Sequence, residues 1–152
     1  MISASLMRGR RTISLSAEAD FPSVRLLAAA CHGVLDEWGL APARRSLLEL
    51  ALVEAATNVV RHAYGGRGGR VEVELSREGS AITLAVVDSG IAFDPTSVPP
   101  PREPDPADPS TWPEGGMGLP IIRAACDELR YRSEGGRNRL SLHLTVDGPP
   151  RT

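Results

Sequence analysis

Apolar and polar positions alternate along this chain with two periods, and the switches between them mark the elements. Residues 11–16 alternate in strand fashion, with Ile13 and Leu15 on one face. Asp20 is placed to cap a helix that takes Pro22 in its first turn and carries Val24, Leu27, Ala28, Cys31 and Leu35 at helical spacing, to about Trp38, where Gly39 stops it. A second helix is predicted from about Pro42 to about Tyr64, ended by Gly65 and Gly66. Residues 71–75 and 82–87 read as two antiparallel strands joined by a turn at residues 78–80. A helix over 117–128 and strands over 129–133 and 140–146 complete the order. Strands that are mostly antiparallel neighbours, with helices to cover one face, make an α+β fold: a two-layer α/β sandwich with a mixed, mostly antiparallel sheet.

The pattern breaks once. Between Pro95 and Pro113 the chain holds eight prolines and several acids but almost no aliphatic residues. Such a stretch forms neither a strand nor a continuous helix. At residues 95–114 it reads as a lid, since long structureless loops inside a domain are usually lids or disordered. Residues 1–10 read as a flexible N-terminus, 11–146 as one domain and 147–152 as a tail. A chain of 152 residues suits a single domain that buries roughly 70% of its unfolded surface.

Composition removes several classes of function. All 17 basic residues are arginines. With no lysine there is no Walker-type phosphate loop, no eukaryotic-type protein kinase site and no Schiff-base chemistry. A formal charge of −2 argues against nucleic acid held on a basic surface. No apolar run approaches the roughly 18 residues of a membrane span and no signal peptide is recognisable, so a cytoplasmic protein without a membrane partner is expected. Cys31 and Cys126 lie in apolar segments without metal-ligand spacing and read as buried thiols in a reducing compartment.

Three segments carry chemistry. In Glu54-Ala-Ala-Thr-Asn58 a carboxylate and a carboxamide stand one helical turn apart, roughly 40° around the axis, on the flank of the buried stripe. An unpartnered carboxylate there would be costly, and a ligand or metal would explain it. Asn offers a neutral oxygen suited to Mg²⁺, and Glu can accept a proton from a hydroxyl or water. Asp88 emerges at the end of an apolar strand, where it can accept a hydrogen bond from an exocyclic amine, and Gly90 lets backbone approach a ring closely. Gly115-Gly-Met-Gly118 opens a helix whose backbone N–H groups suit phosphate. Singly, each also has an ordinary reading: polar groups bonded to neighbouring backbone, a strand-to-turn Asp-Ser-Gly, and a Gly-rich loop. Their order favours a nucleotide site.

These segments resemble the N, G1 and G2 boxes of the GHKL (Bergerat-fold) ATPases, and within them the small bacterial anti-sigma factor serine kinases. The resemblance runs from about Arg11 to Val146. Its most specific piece is Glu54-Ala-Ala-Thr-Asn58-Val-Val-Arg-His62-Ala-Tyr64, followed by Asp88-Ser-Gly-Ile-Ala-Phe93-Asp94-Pro95 and Gly115-Gly-Met-Gly-Leu-Pro-Ile-Ile122. It implies a Bergerat-type fold that binds ATP and Mg²⁺ under a lid and transfers the γ-phosphate to a serine of a STAS-domain anti-anti-sigma protein. Glu54 would be the base and Asn58 the Mg²⁺ ligand. Asp88 would bond adenine, with Gly90 beneath the ring. Gly115, Gly116 and Gly118 would line the phosphates, and His62, Phe93, Met117 and Leu119 would join the nucleotide-binding set. His62 and Tyr64 fit the family pattern either as ligand contacts or as packed side chains. Asn138 stands where many members have Thr, and Ala92 where Gly or Pro is frequent. The resemblance also implies a sigma factor as second partner and a homodimer formed through the sheet. Two alternatives stay open: a nucleotide-gated adaptor that transfers no phosphate, and a detached histidine-kinase ATPase domain. Against the latter, His32 lacks the acidic neighbour of a phosphoacceptor.

Overall fold

The computed structural model describes residues 1–7, 9–99, 103, 105–108, 110 and 118–147. Six strands form one sheet: β1 (Ile2–Met7), β2 (Arg10–Glu18), β3 (Arg70–Glu78), β4 (Ala81–Asp88), β5 (Glu128–Glu134) and β6 (Arg137–Thr145), in the order β1-β2-β3-β4-β6-β5. Every adjacent pair is antiparallel. Among the described residues three α-helices, α1 (Phe21–Glu37), α2 (Pro42–Asn58) and α3 (Gly118–Ala124), complete a two-layer α+β sandwich.

Local chemistry sets the helix ends. The Asp20 carboxylate accepts from Ser23 N–H at 2.7 Å, capping α1. That bond holds the Asp20 carboxyl below its ordinary pKa. Buried Val24, Leu27, Cys31 and Leu35 of α1 and Leu48, Ala51, Leu52, Ala55 and Ala56 of α2 form one core with Val71, Val73, Leu75, Ile82, Leu84, Val86, Leu142 and Leu144 of the sheet. Both cysteines are free and buried, as expected, and burial, with the Glu49 carboxylate adding, pushes the Cys31 thiol up to about 12. An unreactive thiol is the consequence.

Among the described residues, the opposite face of the sheet is covered by side chains rather than helices. Arg139 pairs with Glu74 at 2.6 Å and Arg137 with Glu72 at 3.0 Å, laying aliphatic stems across the sheet. The Arg139 hydrogen bond holds the Glu74 carboxyl below its usual range.

Three boundaries differ from the sequence reading. The segment read as a flexible N-terminus contains β1, paired from Ile2 opposite Leu15 to Met7 opposite Arg10. The outer edge of β2 offers unpaired N–H and C=O groups that an alternating Ile2-Ser3-Ala4-Ser5 run can satisfy. The second helix changes character after Asn58: Val59–Ala63 is a π-helical turn, an arrangement common near functional sites. The helix read as extending to residue 128 ends at Ala124, because Asp127 N–H already bonds His143 C=O at 2.8 Å beside the start of β5.

Leu48 is fully buried at the centre of α2. Leu48→Ala is therefore expected to lower the unfolding free energy by about 2–5 kcal/mol, measured by urea denaturation.

Candidate functional site

The end of α2, its π-helical turn, the end of β4 and the segment after it enclose a cavity of about 440 Å³. Its walls are mostly aliphatic, including Ala55, Val59, Val86, Ile122 and Leu140, with Asn58, His62, Asp88 and Tyr131 as the polar exceptions. A few convergent polar groups in an apolar concavity are the ordinary make-up of a small-molecule site.

The site is built where a helix end meets a strand end. Carbonyls in the last turn of a helix lack intrahelical partners. Here the Ala63 carbonyl accepts from Ile91 N–H at 2.6 Å, tying the π-helical turn to the chain just beyond β4. Gly90 makes this approach possible: a Cβ on it would stand 2.1 Å from Ala63 O. The Tyr64 hydroxyl adds a second tie, accepting from Ser89 N–H at 2.9 Å and donating to Arg70 C=O at 2.6 Å. Its ring lies so close to Gly69 that a Cβ there would come within 2.3 Å of it.

Asp88 is fixed by bonds to one of its two oxygens. Oδ1 accepts from Gly90 N–H at 2.9 Å and from the Asn138 side-chain amide at 2.8 Å. Among the described residues no hydrogen bond falls on Oδ2, so an acceptor remains for an N–H donor in the cavity. Sheet register explains the Asn138 contact, because Asn138 lies directly opposite Asp88 in the β4–β6 pair.

Asn58, His62, Asp88 and Phe93 all line this one cavity. Glu54, one turn before Asn58, lies at the opening residue of α3: a Cβ on Gly118 would stand 2.8 Å from Glu54 Oε2. Leu119 is partly buried and packs against the core instead of lining the cavity. Gly115, Gly116 and Met117 lie outside the described residues. Most of the segment read as a lid lies outside them too, but its start is described. A short 3-10 turn, Pro95–Ser97, is capped by Asp94, whose Oδ1 accepts from Thr96 N–H at 2.8 Å. Arg123 of α3 donates to Val98 C=O at 2.6 Å and Pro95 C=O at 3.3 Å, joining α3 to that turn.

Sequence reasoning missed Tyr131, and of the two readings left open for Tyr64 the structure shows the packed one. Tyr131 lines the cavity and its hydroxyl accepts from Phe93 N–H at 3.0 Å. A signal was present: Leu129 and Tyr131 alternate with Arg130 and Arg132, which sets the tyrosine on the covered face of β5.

Among the described residues no cluster of three or more His, Cys, Asp or Glu side chains could hold a metal ion. A divalent ion here would take most of its ligands from phosphate and water, with the Asn58 oxygen as a protein ligand. No helix among the described residues is long and apolar enough to cross a membrane.

Comparison with known proteins agrees with this architecture. Residues 16–144 match the histidine kinase-like ATPase domain. The chain is 32% identical over 136 residues to the serine/threonine-protein kinase BtrW of Bordetella bronchiseptica, covering 86% of this chain and 90% of that one. It is 27% identical over 128 residues to the serine-protein kinase RsbW of Bacillus thuringiensis, covering 82% and 78%. Among solved structures, the RsbU and RsbW domains of Rv1364c from Mycobacterium tuberculosis superpose with a TM-score of 0.61 at 19% identity. That match spans 91% of this chain and 34% of the other, and it speaks to the fold.

The Gly90 contact yields a test of the site's construction. Gly90→Ala drives a methyl into the Ala63 carbonyl and is expected to destabilise the protein by about 1–3 kcal/mol in chemical denaturation. A variant as stable as the parent would show that the turn and the helix end can separate without cost.

Proposed function

Because the chain belongs to the histidine kinase-like ATPase family, in the branch of the RsbW-like anti-sigma factor kinases, we propose that it binds Mg-ATP in this cavity and phosphorylates a serine of a STAS-domain anti-anti-sigma protein. In the absence of that partner it would hold a sigma factor. The observation that carries the reading is the convergence of Asn58, His62, Asp88 and Phe93 on one apolar cavity, with Glu54 one helical turn away at the start of α3.

In this reading Asp88 accepts the exocyclic amine of adenine, and the aliphatic walls exclude water from the ring. The Asn58 oxygen would hold Mg²⁺, which when bound neutralises phosphate charge. Glu54 takes the proton of the partner's serine hydroxyl as the serine oxygen bonds the γ-phosphorus. The bond from that phosphorus to the β-phosphate oxygen breaks, and ADP leaves with its electron pair. The kinase names of the similar proteins support transfer over binding alone, as does an acid at position 54, which a pure binding module does not need.

The direct experiment is to recover partners from the native cell with protein loaded with ATP or ADP, then assay small partners for serine phosphorylation. Glu54→Ala is expected to keep ATP affinity and lose phosphate transfer; unchanged transfer would remove Glu54 from the role of base. Asp88→Asn is expected to weaken ATP roughly ten- to hundredfold by calorimetric titration, the cost of a charge-assisted hydrogen bond.

A further inference from the structure

Asn138 is a polar side chain only 3% exposed, on the helix-covered face of the sheet, and every polar atom it carries is engaged. Its Nδ2 donates to Asp88 Oδ1 at 2.8 Å and to Gly90 C=O at 3.0 Å, which uses both amide hydrogens. Its Oδ1 accepts from the Ser133 hydroxyl at 2.8 Å. Because Nδ2 faces a carboxylate and a carbonyl, both pure acceptors, the orientation of the amide is settled by its partners. Register assembles the row: Ser133 lies opposite Asn138 in the β5–β6 pair, and Asn138 opposite Asp88 in the β4–β6 pair.

Resting on the nucleotide-site reading above, we infer that Asn138 sets the base preference of the cavity by occupying one oxygen of Asp88. A carboxylate offers about four lone-pair sites over two oxygens. On Oδ1 both are taken, one by Asn138 Nδ2 and one by Gly90 N–H. Only Oδ2 remains for a base. Adenine presents a single exocyclic amine beside ring acceptors, so one oxygen serves it. Guanine presents adjacent N–H groups at N1 and N2, which a carboxylate satisfies best with both oxygens side by side. The Asn138 bond also prevents the carboxylate from rotating to offer that arrangement. With both its hydrogens spent, Asn138 has none left for the base. It is a positioning residue acting through Asp88.

The test is calorimetric titration of the full chain with Mg-ATP and with Mg-GTP, comparing wild type with the near-isosteric pair Asn138→Val and Asn138→Thr. Both β-branched side chains suit a strand, and only threonine keeps a hydroxyl to donate to Oδ1. Wild type is expected to prefer ATP. Asn138→Val should cut the ratio of ATP to GTP affinity by about tenfold, the worth of one charge-assisted hydrogen bond, and Asn138→Thr should restore most of it. A structural role alone would weaken both nucleotides equally, and an unchanged ratio overturns the inference. If neither substitution folds, Asn138→Ala, which removes the amide without adding bulk, carries the test: a fall of about tenfold supports the role and an unchanged ratio overturns it. Wild-type protein that binds neither nucleotide overturns the reading of the cavity itself. ATP-selective wild type with unaltered variants overturns only the role of Asn138.

Discussion

The site depends on one close approach, the Gly90 backbone against the Ala63 carbonyl. Two elements distant in sequence meet there, the end of a helix and the end of a strand, each with backbone groups its own element cannot satisfy. The Ile91–Ala63 hydrogen bond resolves both at once, and the Tyr64 hydroxyl extends the junction to β3 through Arg70. Any side chain at position 90 would hold helix and strand apart. Since the cavity is the space left around this junction, its shape follows from the missing Cβ.

A second constraint is the division of labour between the faces of the sheet. Antiparallel register sends alternate residues to opposite sides. On the covered side the sequence supplies aliphatic residues until β4 ends, and there Asp88, Asn138 and Ser133 form a polar row across three strands. On the other side arginine–glutamate pairs screen Ala85 and Val87. Partly exposed pairs of this kind contribute on the order of 1 kcal/mol each. Their larger effect is the aliphatic surface of the arginine stems, for a chain whose only basic residue with such a stem is arginine.

The helices are joined to the site as well as to the core. Arg123 links α3 to the turn at Pro95–Ser97, and Gly118 at the start of the same helix abuts Glu54 of α2. α3 thus touches α2 at its first residue and the entrance of the proline-rich segment near its last. Gly118 has no side chain to separate its helix from the carboxylate, which puts an acid beside residues that open a helix.

Periodicity determined most of the elements, because burial on one face imposes a period of 3.6 on a helix and 2 on a strand. It therefore located α1, α2, the β3–β4 hairpin and the one-sided cover of the sheet. The sequence also marked Asn58, His62, Asp88 and Phe93, which the fold gathers at one cavity. Only the tertiary structure decided the rest. The strand at Ile2–Met7 exists because β2 presents an unpaired edge, and the Ala63 carbonyl at the end of the π-helical turn finds its partner in Ile91 N–H, beyond β4. Tyr131 reaches the cavity because β5 docks on β6, and Asn138 meets Asp88 because a register places them opposite each other. The Ala63–Ile91 and Asp88–Asn138 contacts join residues far apart in the chain, and even in the β1–β2 and β5–β6 hairpins local pattern reports which face a residue prefers but not which residue stands across from it.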